Sequence, residues 1–238
     1  MKIVFAGPTL HRIALDAYRG IAFRPPAKRG DLIRAVRDGA SIIGLIDGIF
    51  ELSPSVWHKE ILFALSEGVT VLGAASMGAL RAAECHAFGM IGVGQVFRAY
   101  ASGETEDDED VAQVHGPGEL GYLPLSEPLV NITATLRQLL AGGQIDRQEH
   151  DGLASITRTL FFKDRTYRRI VETTDFSNSR KTELLTILKT SAVNVKKQDA
   201  ILLLQAIESG ERPYSFDFCQ SKWHLSRTRS LHDLLLDD

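Results

Sequence analysis

The residues with the clearest chemical potential lie in the run Gly73-Ala74-Ala75-Ser76-Met77-Gly78-Ala79-Leu80-Arg81. A serine stands there between an apolar run and a helical pattern, with small residues on both sides. This is the layout of a nucleophile elbow, in which a strained turn leaves no room for side chains. Ala74 in place of the first glycine makes it a variant of that pattern. At the helix start the backbone N–H groups of Met77 and Gly78 are expected to point outward, where an oxyanion developing on an acyl group could be held. A serine that simply caps an ordinary helix fits the same residues. A second group, Asp47-Gly48-Ile49-Phe50 followed by Val56-Trp57-His58-Lys59-Glu60, begins where the preceding apolar run ends. A histidine or lysine near a helix start is commonly just solvated surface. Two strand ends bearing useful residues on one face are more informative than either alone.

These residues need a scaffold that brings strand ends together. Residues 3–6, 41–46 and 69–73 are apolar runs of strand length, the kind buried on both faces of a sheet. Helical patterns over 10–18, 31–38, 53–66 and 77–88 separate them, with Ser53-Pro54 read as a cap and first-turn proline. The alternation predicts an α/β fold, a parallel-sheet, Rossmann-like N-terminal core with helices on its faces. In such a sheet the carboxyl ends of strands and the starts of the following helices share one face, where ligands bind. Asp47 and Ser76 both open onto that face, with His58 and Lys59 in the second turn of the intervening helix.

Gly7-Pro8-Thr9 follows the first strand on the same face but has too few glycines to cradle a pyrophosphate. Gly89-Met90-Ile91-Gly92-Val93-Gly94 follows a helix instead of a strand, so it reads as no dinucleotide site. Residues 101–128, with their acidic run 104–110 and Gly116-Pro117-Gly118, are irregular, with short strands expected at 111–115 and 122–125. Apolar stripes beyond them predict an all-helical C-terminal extension. The expected divisions are a core over 1–126, a helical region over 127–210 packing on it, and a tail over 211–238 with little periodicity.

Composition narrows the classes of function. The chain has 238 residues, 27 Lys and Arg against 30 Asp and Glu, and a formal charge of −3. That balance disfavours a nucleic-acid binder, which must neutralise phosphates. Cys85 and Cys219 make neither a disulfide framework nor a paired-thiol zinc site. Cys85 and His86, adjacent on a helix, project in different directions. No metal-ligand spacing or cofactor motif is visible, and no apolar run is long enough to span a membrane. The N-terminus reads as a strand and not a signal peptide, so a cytoplasmic protein is expected. Arg158, Lys163, Arg165, Arg168 and Arg169, interleaved with Phe161, Phe162 and Tyr167, could dock an acidic protein or carboxylate, or be a solvated face.

Taken together, Gly7-Pro8-Thr9, Asp47-Gly48-Ile49-Phe50, Val56-Trp57-His58-Lys59-Glu60-Ile61-Leu62 and the Ser-Met-Gly-Ala-Leu-Arg-Ala-Ala-Glu core after Gly73 resemble the TfuA-like family. The segments Gly89-Met90-Ile91-Gly92-Val93-Gly94 and Phe162-Lys163-Asp164-Arg165-Thr166-Tyr167 add to a resemblance spanning about residues 3–170. It implies an accessory role beside a YcaO-type enzyme, which activates peptide backbone amides with ATP, when the product is a thioamide. It further implies hydrolysis of the thiocarboxylated C-terminus of a ThiS-like sulfur carrier by a serine–lysine pair, releasing sulfide. On that reading Ser76 is the nucleophile and Lys59 its base. Asp47, His58, Met77, Gly78, Arg81, Lys163 and Arg165 bind or orient the substrate, without metal or cofactor. Lysine acts as a base only if its pKa falls from ~10.4 toward neutrality. Lys59, near a helix start and beside Trp57, Ile61 and Leu62, meets that condition better than Lys163. The latter is flanked by Phe161 and Phe162 but lies far along the chain. A non-catalytic adaptor for the YcaO enzyme, its peptide or the carrier is the alternative. A generic phosphate-binding domain, holding its ligand at Gly7-Pro8-Thr9 or Gly73, is a third.

Overall fold

The computed structural model describes residues 1–51, 53–210, 223–226 and 228–236. The strands β1 (Lys2–Phe5), β2 (Ile21–Arg24), β3 (Ile42–Leu45), β4 (Thr70–Ala74) and β5 (Ile91–Val93) form one sheet in the order β2-β1-β3-β4-β5. Every pairing is parallel. The register sets Phe5 beside Leu45 and Leu45 beside Gly73, so the chain leaves β1, β3 and β4 along one edge. Strand order reverses between β1 and β3, the place where open parallel sheets of this winding take their ligands.

The expected α/β core is therefore present, and both faces of its sheet are covered. Helices α1 (Asp31–Arg37), α2 (His58–Ser66), α3 (Met77–Cys85) and α4 (Gly94–Ser102) follow β2, β3, β4 and β5 in turn. Ile33 of α1 and Phe63 of α2 share a cluster with Leu231. On another cluster, Leu203, Leu204 and Ile207 meet Val4, Ile46 and Leu72 of the sheet. These leucines belong to α9 (Val195–Ser209), far along the chain. Gly44 makes that approach possible, since a Cβ there would stand 2.9 Å from Leu203, Ile207 and Val4 alike. Lys2 Nζ donates to the Ile207 carbonyl at 2.8 Å. The Asp199 carboxylate accepts from Gln95 and Val96 N–H at 2.9 and 2.8 Å, capping α4. Burial pushes its carboxyl above the usual range, against those two hydrogen bonds.

The chain divides into two units: Met1–Glu106 together with the chain from Lys197 onward, and Asp107–Lys196. The second comprises α5 (Leu129–Ala141), α6 (Arg147–Thr159), α7 (Tyr167–Thr173) and α8 (Asn178–Thr190), around Ile132, Leu136, Leu153, Ile170, Leu184 and Leu188. The divisions thus differ from those expected at 126 and 210. The acidic loop joins the helices because Glu109 pairs with Arg165, and α9 returns to the sheet because its apolar face has strands to cover. Of the expected tail, residues 211–222, 227 and 237–238 lie outside the described residues. Residues Arg229–Leu236 form α10, which buries Leu231.

Other local expectations change for identifiable reasons. Gly89–Gly94 contains β5, so the glycine-rich run does lead from a strand into a helix, and Asp199 occupies the helix start that an anion would need. In place of two strands the irregular loop forms an isolated antiparallel bridge, His115 to Pro124, and two 3-10 turns, Asp108–Asp110 and Gly118–Leu120. Two short 3-10 turns, Pro8–Leu10 and Leu15–Ala17, replace the helix expected over 10–18. Helix α2 begins at His58, not after Ser53-Pro54, because the buried Glu60 carboxylate accepts from Trp57 N–H at 3.1 Å and fixes the first turn there. Among the described residues no helix is long and apolar enough to cross a membrane.

Candidate functional site

Three strand ends meet at the sheet's carboxyl edge. After β1, Gly7 and Thr9 turn their N–H groups onto one oxygen of Asp47, at 2.8 and 3.1 Å. The Thr9 hydroxyl donates to the other oxygen at 2.6 Å. Asp47 is only 2 % exposed, so its carboxylate ties the β1 loop to the end of β3 instead of facing a ligand. The donors that a phosphate at Gly7-Pro8-Thr9 would need are thereby occupied by the protein's own anion. Replacing Asp47 by alanine should strand three donors and cost about 3–5 kcal/mol, with the melting midpoint roughly 10 °C lower. The substitution Asp47→Asn keeps one acceptor and should fall between wild type and alanine in the same thermal melt.

Beyond β4 the chain bends sharply. Ser76 N–H donates to the Ala74 carbonyl at 2.8 Å across Ala75, whose φ is +70°. That is a γ-turn centred on a left-handed alanine, a conformation costing on the order of 1–3 kcal/mol. The elbow is therefore strained, as its small residues suggest, but the strain sits one residue before the serine. Ser76 occupies the N-cap position of α3, yet its side chain makes no capping hydrogen bond. Its carbonyl, instead, accepts from Ala79 and Leu80 at 2.9 and 3.3 Å. The ordinary helix-cap reading of Ser76 does not hold.

The expected pair of outward N–H groups changes by half. Gly78 N–H donates to the Ile46 carbonyl at 3.1 Å and is not available to an oxyanion. The reason is the closeness of α3 to β3, where a Cβ on Gly78 would fall 1.7 Å from the Leu45 oxygen. Met77 N–H makes no hydrogen bond among the described residues. Gly48 N–H, which sequence reasoning did not single out, likewise makes none. The two residues are neighbours, a Cβ on Gly48 reaching within 2.8 Å of Met77 Cγ.

The cationic residues expected at this edge have other partners. Lys59 Nζ donates to Thr228 Oγ1 at 2.9 Å and to the Ser226 carbonyl at 3.4 Å, and lies 5.5 Å from the Trp57 ring centroid. His58 Nε2 meets Glu84 Oε2 at 2.7 Å. Arg81 pairs with the same carboxylate and donates to the Val56 carbonyl and Ser55 hydroxyl, at 2.9 and 3.2 Å. Burial raises the Glu84 carboxyl, but the hydrogen bonds from His58 and Arg81 outweigh it and hold the group below its usual range. Glu84 stands two turns along α3 from Ser76, about 12 Å by helical rise. His58 and Arg81 therefore brace α3 against the segment leading into α2. Cys85 is buried, its thiol pushed up to about 12 by desolvation, and offers no thiolate near neutral pH.

A family model described as TfuA-like protein matches residues 47–166, half of the chain. The chain belongs to the TfuA-like family. The matched stretch opens on Asp47 and takes in Lys59, Ser76, Lys163 and Arg165. Membership carries a role as an accessory protein associated with a YcaO-type enzyme. No curated protein matches the chain.

Two of the family-like residues lie in the helical unit. Lys163 is exposed and sits 5.4 Å from the ring centroids of both Phe161 and Phe162. Arg165 is 3 % exposed, and its guanidinium donates to Glu109 Oε1 and to the Leu160 carbonyl, both at 3.0 Å. Glu109 Oε1 also accepts from Phe162 N–H at 3.0 Å. Arg165 thus clamps the acidic loop inside its own unit and is no docking cation. Thr9, Glu84 and Thr228 are the partners sequence reasoning missed. Thr9 carried a signal in its place after Gly7-Pro8 at the end of a strand, Glu84 as the last residue of the family-like core after Gly73, and Thr228 none.

Proposed function

We propose that the chain hydrolyses the thiocarboxylated C-terminus of a ThiS-like sulfur carrier and supplies the released sulfide to its YcaO partner. The observation that carries this reading is the position of Ser76, set by a strained γ-turn between β4 and α3 at the carboxyl edge of the sheet, with the Met77 N–H next to it. Its hydroxyl oxygen attacks the thiocarboxyl carbon while its proton passes to a base. The oxyanion of the tetrahedral species is held by the N–H groups of Met77 and Gly48. Collapse breaks the carbon–sulfur bond, and the base passes the serine proton to the departing sulfur, which leaves as hydrosulfide. Water then cleaves the acyl-serine ester, so thiocarboxylate plus water becomes carboxylate plus sulfide. The assay is sulfide release from a purified thiocarboxylated carrier, with no release overturning the proposal.

Lys59 is the proposed base, and its present bonds define a condition. To serve Ser76 it must exchange Thr228 and Ser226 for the serine. Lys59→Met should slow release by ~10²–10⁴-fold. Thr228→Val, which removes the shorter of the two bonds, should raise the rate. A Lys59→Met variant with normal turnover beside an impaired Lys163→Met variant would move the base to Lys163.

The same bonds favour a second reading, a non-catalytic adaptor that binds the YcaO enzyme and recruits its peptide or the carrier. With Lys59 held by Thr228 and Gly78 N–H by Ile46, two parts of the expected machinery are engaged elsewhere. An adaptor would support thioamidation from free sulfide and release none itself.

A further inference from the structure

Beyond β2 the chain runs along the carboxyl edge of the sheet. Ala27 N–H donates to the Asp47 carbonyl at 2.9 Å, and the Ala27 carbonyl accepts from Ile49 N–H at 3.0 Å, which lays Ala27 beside Gly48. A Cβ on Gly48 would stand 3.3 Å from that carbonyl and 2.8 Å from Met77 Cγ, so the three residues are contiguous. Arg29 comes two residues after Ala27, within ~7 Å of it along the chain. Its N–H donates to the Pro54 carbonyl at 2.9 Å. The fully buried Glu60 draws the two segments together, accepting from Gly30 N–H at 2.7 Å and from Trp57 N–H at 3.1 Å. The result is two cations over one indole. The Arg29 guanidinium carbon and Lys59 Nζ each lie 5.5 Å from the Trp57 ring centroid. The carboxylates of this stretch do not neutralise them. Those of Glu60 are bound to backbone amides, and those of Asp31 accept from Lys28 N–H and Arg34 at 2.7 and 2.6 Å. Among the described residues neither Arg29 nor Lys59 forms an ion pair. Arg29 is exposed, and a guanidinium steadied by an indole keeps its N–H donors for a carboxylate.

We propose that Arg29, steadied on Trp57, docks a carboxylate on the folded body of the sulfur carrier and so brings the carrier's C-terminus to the sheet edge. This deepens the proposed function and rests on its reading of the carrier as substrate. Arg29 is a specificity residue and touches none of the reacting atoms. Position selects the partner: Ala27 borders the Gly48 and Met77 N–H groups, so a protein that delivers its C-terminus there lays its surface over Arg29. Charge selects it too. A cationic spot on a chain of net charge −3 steers an acidic surface to this edge. Lys28, also exposed, adds to the same field.

The test titrates the full chain into a fluorescein-labelled carrier in its carboxylate form, read by fluorescence anisotropy. Arg29→Glu should weaken binding at least ~10-fold at low salt, with Arg29→Lys between it and wild type. The gap should shrink at high salt, where screening acts beyond ~8 Å. In sulfide release, Arg29→Glu should raise KM by ~10-fold and leave kcat within about twofold, the mark of binding lost equally from ground and transition states. If Arg29→Glu loses the wild-type circular dichroism spectrum, Arg29→Gln takes its place. Equal carrier binding by wild type and the charge-reversed variant overturns the proposal. So does a loss of kcat at unchanged KM, or weakened association with the YcaO enzyme while carrier binding stays as in wild type. Arg29-dependent carrier binding without sulfide release sinks the hydrolase reading and keeps this inference. Sulfide release with a wild-type KM in Arg29→Glu does the reverse.

Discussion

Replacing Ser76 by alanine should reduce sulfide release from a thiocarboxylated carrier by at least ~10³-fold while the protein stays folded. Loss of a serine nucleophile removes covalent catalysis as a unit, and what survives in such enzymes comes from oxyanion stabilisation and binding. Here that remainder would rest on the N–H groups of Met77 and Gly48. The fold should persist because the Ser76 side chain makes no cap to α3, so the ~1 kcal/mol normally lost with an N-cap serine is not at stake. Association with the YcaO partner should be retained. If the alanine variant releases sulfide at the wild-type rate, the hydrolase reading fails. If wild type and variant both release none but both promote thioamidation from added sulfide, the adaptor reading takes its place.

Gly78→Ala should be the most damaging single methyl group that can be added at this edge. Its Cβ would lie 1.7 Å from the Leu45 oxygen and 2.5 Å from the Leu45 carbonyl carbon. No rotamer relieves such a clash, since backbone meets backbone. The start of α3 must retreat from β3, which breaks the hydrogen bond from Gly78 to Ile46 and pulls the γ-turn with it. A loss above ~3 kcal/mol is expected, at the damaging end of overpacking. Gly116→Ala is the internal control, with nothing closer than 3.7 Å and no left-handed backbone. It should change stability by under ~0.5 kcal/mol. Urea unfolding of the two variants side by side measures the contrast. A Gly78→Ala protein within about 1 kcal/mol of wild type would show that α3 is not pinned to β3 as described.

The parts of the fold legible in the sequence are those whose signal is local. β1, β3 and β4 read as buried strands because both faces are covered and their residues are apolar throughout. β5 escaped because Gly92 has no side chain to register: the Phe97 ring lies where its Cβ would be, 2.2 Å away. The start of α2 was misplaced because a buried glutamate, bonded to Gly30 as well as Trp57, outweighs a local serine–proline signal. The same contrast runs through the site. Asp47 and Ser76 were legible from their positions at strand ends, and the register places both strand ends on one edge. The hydrogen bonding of Lys59 was not legible, because its partner Thr228 lies far along the chain and leaves no trace near it. Arg165 looked like a surface cation until Glu109 supplied the charge that lets it be buried.

The return of α9 to the sheet has a consequence for how the chain is made. Val4, Ile46 and Leu72 are completed by Leu203, Leu204 and Ile207, and α4 is capped by Asp199, all from beyond the helical unit. During synthesis the five strands emerge first, and their covering helix follows only after the whole of Asp107–Lys196. At ~5–20 residues per second that interval lasts roughly 5–20 s. Throughout it one face of a parallel sheet stands open, with the helical insertion free to fold by itself in the meantime. The nascent sheet is therefore the stage at which this chain is most prone to aggregate, and α9 is the element that ends the exposure.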